Sequence, residues 1–63
     1  MCEAKVYLET EGERKLVMDD VITIKPAPRG LSLVDLFGEE KSINAAIKEI
    51  KLLEHVVLLE PLE

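Results

Sequence analysis

The chain has 63 residues, of which 48% are hydrophobic and 33% are charged, and its net charge is -5 at neutral pH. This mixture is too apolar for a disordered chain, and its apolar runs are far shorter than the roughly 20 residues of a membrane-spanning helix. The negative charge argues against a partner bound mainly through phosphate contacts, because such binding depends on lysine and arginine. No basic and apolar leader is visible, so we expect one cytoplasmic domain over residues 1–63. Because so short a chain buries little surface alone, we also expect a dimer.

The first half of the chain predicts two strands that form a hairpin. Residues 2–9 alternate in polarity, with Ala4, Val6 and Leu8 on one face. The glycine in "TEGE" suits a tight reversal, and the strand pattern resumes in "RKLVMDDV". The two aspartates of that segment predict a bend or bulge at residues 19–20, before the apolar pattern continues.

The next segments predict a loop and two further strands. Two prolines and a glycine in "KPAPRG" predict a loop over residues 26–30. The segment "LSLVDLF" at 31–37 predicts a strand that is apolar on both faces, placed centrally or at a dimer contact, and a turn at Gly38 ends it. The final "HVVLLE" predicts a strand that stops at Pro61.

The segment "KSINAAIKEIKLLEH" can be interpreted in two ways. Ile43, Ile47 and Ile50 follow helical spacing, and the alanine, lysine, glutamate and leucine content favours a helix. A strand would explain only the alternation from Ile43 to Ile47, which fails at Glu49. The residue pattern therefore slightly favours a helix, and it leaves the choice between strand and helix open over residues 41–53.

Cys2 is the only cysteine, and it lies beside the N-terminal amine. An ionised thiol can ligate a metal, and the amine of Met1, or of Cys2 if Met1 is removed, can close a chelate ring on the same ion. Planar nitrogen and sulfur donors favour Cu(II) or Ni(II), and thiolate in a reducing cytoplasm would reduce copper, which leaves Ni(II). Two copies of Cys2 near a two-fold axis could bind one ion. The plainer interpretation is an inert side chain, since free cysteine often behaves as a small hydrophobe.

The other polar and aromatic residues indicate no catalytic site. His55 could be a ligand or proton carrier, although a surface position is the simpler interpretation. Asp19 and Asp20 are adjacent, so on a strand they would point to opposite faces, and we interpret them as turn residues. Tyr7 and Phe37 are too few for RNA stacking and are better explained as core or interface residues. Some glutamates could supplement a cation site but equally fit a solvated strand face: Glu3, Glu9, Glu11 and Glu13. No phosphate-binding glycine loop or nucleophilic triad is visible, so we predict no enzyme.

Four segments, "MCEAKVYL", "LVMDDV", "LVDLFGEEK" and "IKEIKLLEHVVLLE", together resemble the CooT family over nearly the full chain. The most specific parts are Met-Cys at the start, Asp-Leu-Phe-Gly-Glu in the middle and Leu-Leu-Glu-His near the end. The resemblance implies a small, strongly twisted antiparallel β-barrel of the SH3-like or Sm-like kind. Residues 39–49 would then be a strand paired with the preceding one, and "KLLE" would be the corner before the last strand.

The resemblance also implies a function. Members of the family are small cytoplasmic proteins often labelled as predicted RNA-binding, and the namesake is a dimeric nickel-binding accessory protein of carbon monoxide dehydrogenase maturation that needs its second-position cysteine. On this chain that role falls on Cys2, beside Met1, in a homodimer that binds one Ni(II) and passes it to a nickel enzyme. The alternative is an Sm-like RNA-binding or protein-interaction module without metal, and charge and aromatic content disfavour RNA. Residues 31–37 and 56–59 are candidates for the dimer interface, with an ordinary core as the simpler interpretation.

Overall fold

The structure, a computed structural model, describes residues 3–62, and six β-strands contain most of them. The strands are β1 (Ala4–Thr10), β2 (Glu13–Ala27), β3 (Gly30–Asp35), β4 (Glu40–Ile43), β5 (Ala45–Lys51) and β6 (Val56–Pro61). The predicted all-β class is confirmed. A helix over 41–53 is wrong, and the strand that the resemblance implies is right. Among the described residues, no helix is long and apolar enough to cross a membrane.

The six strands form one sheet in the order β4-β3-β2-β1-β6-β5. Neighbouring strands are antiparallel except β1 and β6, which run parallel with Lys5 opposite Val56 and Leu8 opposite Leu59. The predicted purely antiparallel sheet is therefore wrong at this pair. The parallel pair arises because the chain passes from one edge of the sheet to the other before β5, so that β6 returns beside β1.

The sheet curls into a half-barrel because its two edge strands are consecutive in the chain. Ile43 ends β4 and Ala45 begins β5, so a single residue, Asn44, connects the two edges. The long strand β2 bends to permit this, since its residues up to Val21 pair with β1 and its residues from Val21 onward pair with β3. Register shifts on both sides of the bend and the left-handed backbone of Asp20 (φ 54°) confirm the bulge predicted at residues 19–20.

The loop predicted at residues 26–30 is shorter than expected. Pro26 and Ala27 belong to β2, where they lie opposite Leu31 and Gly30, so only residues 28–29 form the turn. A strand accepts a proline at a position where its missing N–H would not have paired with a neighbouring strand. Past Val21 the strand β2 pairs with β3 alone, so Pro26 lies in a part of β2 that has one unpaired side.

Two other predicted strands also have different limits. The strand predicted over 31–37 ends at Asp35, so Leu36 and Phe37 belong to the following turn. The segment 39–49 is divided at Asn44. Its first part, β4, pairs with the preceding strand as implied, whereas β5 pairs with β6. The turn at Gly38 (φ 86°) is confirmed. The corner predicted at "KLLE", residues 51–54, is present one residue later, at 52–55, because Lys51 still belongs to β5.

The core lies inside the curl of the sheet. Its buried side chains come mainly from the central strands: Val6, Met18, Val21, Leu33, Ala45, Val57 and Leu59. Burying one valine or leucine side chain contributes about 1.5–3 kcal/mol, so this small set provides most of the driving force for folding. The single chain thus buries the centres of β3 and β6, and the simpler interpretation of these two strands, as core, is confirmed.

Candidate functional site

The predicted metal ligands Met1 and Cys2 lie outside the described residues, and the site is therefore described from the residues that follow them. Ala4 begins β1 and lies opposite Val21 of β2. On the other side, the Lys5 N–H donates to the His55 carbonyl at 2.9 Å, and β6 begins there. The first residues of β1 are thus paired on both sides, with β2 and with the start of β6. Cys2 precedes Ala4 by two positions in the chain.

Two turns flank the start of β1. The Phe37 turn, residues 35–39, lies across β2, where the Leu36 N–H donates to the Asp20 carbonyl at 2.8 Å. The Leu53 turn, residues 52–55, connects β5 to β6 and contacts β1 through His55. These turns carry the most exposed of the large hydrophobic side chains in residues 3–62: Phe37 (81%), Leu52 (80%) and Leu53 (98%). Exposed apolar surface is therefore concentrated around the start of β1.

The Phe37 turn is built around Asp35, a residue that sequence reasoning left without a role. The Asp35 side chain is nearly buried, and its Oδ1 accepts the N–H groups of Phe37 and Glu39, each at 2.9 Å. The Gly38 N–H donates to the Asp35 carbonyl at 3.0 Å. An aspartate three residues before a glycine is a sequence signal for such a turn, because its carboxylate can accept nearby backbone N–H groups. Phe37, predicted in the core or an interface, lies outside the core.

His55 takes an exposed position, as the simpler interpretation predicts. Its backbone is left-handed (φ 56°), and its N–H donates to the Leu52 carbonyl at 3.2 Å, which closes the Leu53 turn. Together with Ala4, Ile50 and their neighbours it lines a shallow, mainly apolar cleft of about 300 Å³ beside β1. The only histidine of the chain thus lies beside the start of β1.

Asp19 and Asp20 lie within β2 rather than in a turn, and they do not form a carboxylate pair. The Lys5 Nζ donates to Asp19 Oδ2 at 3.0 Å, and the Asp20 N–H donates to Asp19 Oδ1 at 2.7 Å. The Lys5 hydrogen bond, followed by that of Asp20, lowers the pKa of Asp19. The same hydrogen bond raises the pKa of Lys5. Asp19 therefore ties the bulge of β2 to the start of β1.

The four glutamates that could supplement a cation site or form a solvated strand face, Glu3, Glu9, Glu11 and Glu13, belong to no group of potential metal ligands within residues 3–62. Glu9 contacts Lys48 Nζ at 3.5 Å and Arg14 Nε at 3.9 Å, at the end of β1 away from Cys2. Glu11 and Glu13 lie at the hairpin beyond it. Within residues 3–62 there is no group of three or more histidine, aspartate or glutamate side chains that could hold a metal ion.

Known proteins share both this sequence and this fold. The family model described as CO dehydrogenase accessory protein CooT matches residues 1–60. The uncharacterized protein MJ1551 of Methanocaldococcus jannaschii is 33% identical over 60 residues, which cover 95% of this chain and 98% of that protein. A crystal structure from Carboxydothermus hydrogenoformans assigned to CooT superimposes with a TM-score of 0.93 at 34% identity, over 98% of this chain and 100% of the other. The chain therefore belongs to the CooT family, the accessory proteins of CO dehydrogenase, and is not itself an enzyme.

Proposed function

We propose that the protein is a cytoplasmic nickel-binding accessory protein that acts as a homodimer. In this proposal Cys2 of each copy binds a shared Ni(II) with its thiolate, the Met1 amine or a backbone nitrogen completes the donor set, and the ion passes to CO dehydrogenase. The observation that carries the proposal is the match to the CO dehydrogenase accessory family over residues 1–60, a range that includes the only cysteine. The single-domain assignment over 1–63 is part of the same proposal.

The chemistry of the donors supports the N-terminus as the binding site. The described part of the chain offers no cluster of potential ligands, whereas Cys2 has a soft thiolate and nitrogen donors within one or two residues. Thiolate and nitrogen donors in a plane suit Ni(II). If only the Cys2 thiolate and one nitrogen bind, one chain supplies two of the four ligands of a four-coordinate ion. A second copy related by a two-fold axis supplies the other two.

The geometry restricts how such a dimer is arranged. Two residues of extended chain reach at most about 7 Å, so each Cys2 lies within that distance of Ala4. The sulfur of each Cys2 lies roughly 3 Å from its own Cα, and a sulfur–metal bond is roughly 2.3 Å long. For two copies to share one ion, the Cα atoms of their Ala4 residues must therefore lie within roughly 25 Å of each other. The Leu53 turn, with Leu52 and Leu53 exposed beside β1, provides apolar surface for a contact between copies at this place.

A nickel titration of the full chain under reducing conditions tests the proposal. We expect one Ni(II) per two chains, with a thiolate-to-nickel charge-transfer band that disappears in Cys2→Ser. His55→Ala is the matched control, because His55 is the only histidine, is exposed and lies beside the start of β1; its loss is expected to leave the band unchanged. Equal nickel affinity and an unchanged band in Cys2→Ser would reject the assignment. One ion per chain, bound with the same affinity by monomers, would reject the shared site.

The RNA-binding alternative gains no support from the surface. Four of the eight basic side chains are already engaged within the chain, three by carboxylates and one by a carbonyl: Lys5, Arg14, Lys48 and Lys41. RNA binding would show as an affinity that falls with salt as counterions are displaced. We expect no such binding at low salt in a filter or fluorescence assay.

A further inference from the structure

The Phe37 turn combines a rigid backbone with an exposed aromatic side chain. Asp35 Oδ1 accepts two N–H groups, and the Gly38 and Leu36 N–H groups donate to the carbonyls of Asp35 and Asp20. These four hydrogen bonds fix the backbone on both sides of Phe37, whereas the residue itself is 81% exposed. A preorganised turn loses little conformational entropy when it binds, and aromatic anchors seated in pockets dominate many interfaces. The turn therefore has the construction of a recognition element.

The surroundings of the ring are acidic. Glu39 and Glu40 follow Gly38 and are exposed, although one oxygen of Glu40 accepts the Ser32 hydroxyl at 2.7 Å. Asp20 accepts the Leu36 N–H of the turn with its carbonyl. The nearest lysine in sequence, Lys41, donates its ammonium to the Val17 carbonyl at 3.0 Å and is thus directed toward β2. The tip of the turn is an apolar ring among carboxylates.

This charge pattern distinguishes between possible occupants. In a two-fold contact through this turn each copy would meet its own turn, so the carboxylates of both copies would oppose each other at unfavourable cost. A different protein with an apolar pocket rimmed by lysine and arginine complements both the ring and its charge. Because the turn is separated from Ala4 by β2 alone, roughly 10 Å away, such a partner would sit beside the N-terminal donors.

We propose that the Phe37 turn is the docking element for nickel-free CO dehydrogenase, with Phe37 seated in an apolar pocket whose rim is basic. This assignment rests on the proposed function, because that function supplies the enzyme as the partner. Docking uses Phe37, Glu39 and Glu40, and nickel binding uses Cys2, so the two activities are separable by substitution.

The test measures binding of purified nickel-free CO dehydrogenase to the immobilised full chain. Phe37→Ala is expected to raise Kd at least tenfold, and Phe37→Leu to recover part of the loss, because it keeps an apolar side chain. Leu62→Ala is the matched control, since Leu62 is exposed and lies near Asn44, away from the turn, and its Kd should stay within threefold. Glu39→Gln is expected to slow association and to weaken the salt dependence. Cys2→Ser should bind the enzyme with the wild-type Kd.

Several results would overturn the docking assignment. An equal Kd for Phe37→Ala and wild type would reject the docking role of Phe37 without affecting the result of the nickel titration. If the wild-type chain fails to bind the enzyme, nickel-free CO dehydrogenase is rejected as the partner. If Phe37→Ala instead converts the dimer to monomers in sedimentation velocity, the turn is a contact between copies. A melting temperature close to wild type is expected for Phe37→Ala, because the ring makes no core contact, and it shows that any lost binding is local.

Discussion

Replacing Gly30 by alanine tests whether the two edges of the sheet are closed by direct backbone contact. A Cβ at Gly30 would overlap the Ile43 carbonyl oxygen and would lie 2.9 Å from the nitrogen of Ala45. All neighbours are backbone atoms of the β4–β5 corner, so no flexible side chain can move aside. Forcing this corner open costs about 1–3 kcal/mol, and the backbone at φ 142° adds about 1–2 kcal/mol of strain for a residue with a Cβ.

The expected loss is therefore about 2–5 kcal/mol, which is comparable to the whole stability of a domain of this size, about 3–9 kcal/mol. At roughly 4–8 °C per kcal/mol, the melting temperature should fall by about 8–40 °C. Thermal unfolding followed by far-UV circular dichroism measures it. The matched control is Gly12→Ala, since Gly12 also has positive φ (84°) but a Cβ there meets nothing within 4 Å, and about 1 kcal/mol is expected. Equal losses in the two variants would refute a closed corner at Asn44.

Three further substitutions test the core, the bulge and the Phe37 turn. Leu33→Ala removes a fully buried side chain and should cost about 2–5 kcal/mol in urea unfolding. Lys5→Gln should raise the pKa of Asp19 back toward 3.8, measured by NMR of the carboxyl carbon. Because the pKa of Asp19 is lowered in the fold, its contribution to stability is present above pH 3.8 and is lost as the pH falls through the lowered pKa. The pKa of Lys5 is raised, so its contribution is present below pH 10.5 and is lost as the pH rises through the raised pKa. The variant should therefore show a shallower acid limb of the stability curve. Asp35→Ala leaves two backbone N–H groups without their acceptor, so we expect a loss of about 1–3 kcal/mol and faster hydrogen exchange at the Phe37 amide.

Polarity alternation predicted the strands that cover the core on one face, and it failed where the sheet is irregular. Val6 and Leu8 follow the two-residue period of β1 because one face of that strand packs inward. In β5 the alternation stops at Glu49, and the pairing with β6 has a register shift between Ile47 and Glu49. A bulge inserts an extra residue and reverses the faces beyond it, so Ile47 and Ile50 show helical spacing within a strand.

The metal ligands Met1 and Cys2 stay a prediction from the sequence, and the turns beside the start of β1 were predicted only in part. Cys2 and its neighbouring amine follow from the sequence alone, because the donors are adjacent in the chain. The role of Asp35 depends on where β3 ends, and the apolar pattern of "LSLVDLF" continued for two residues past that point. Alternation cannot reveal that an aspartate has ended the strand by accepting the N–H groups of the turn. The parallel pairing of β1 with β6 depends on the closure of the whole sheet, which no local pattern encodes.

The curl of the sheet brings two of the most specific segments of the sequence to the start of β1. The pairing of β6 with β1 places Leu-Leu-Glu-His, at residues 52–55, on one side of the start of β1, through the hydrogen bond from Lys5 to His55. The bend of β2 places Asp-Leu-Phe-Gly-Glu, at residues 35–39, on the other side, through the bond from Leu36 to Asp20. Met-Cys precedes β1 in the chain by one residue, Glu3. The apolar Leu53 turn and the acidic, aromatic Phe37 turn thus lie on either side of the start of β1. If the proposed function and the docking assignment hold, Cys2→Ser and Phe37→Ala should each impair nickel transfer to CO dehydrogenase in a reconstituted assay. Cys2→Ser should act by loss of the ion and Phe37→Ala by loss of the contact with the enzyme.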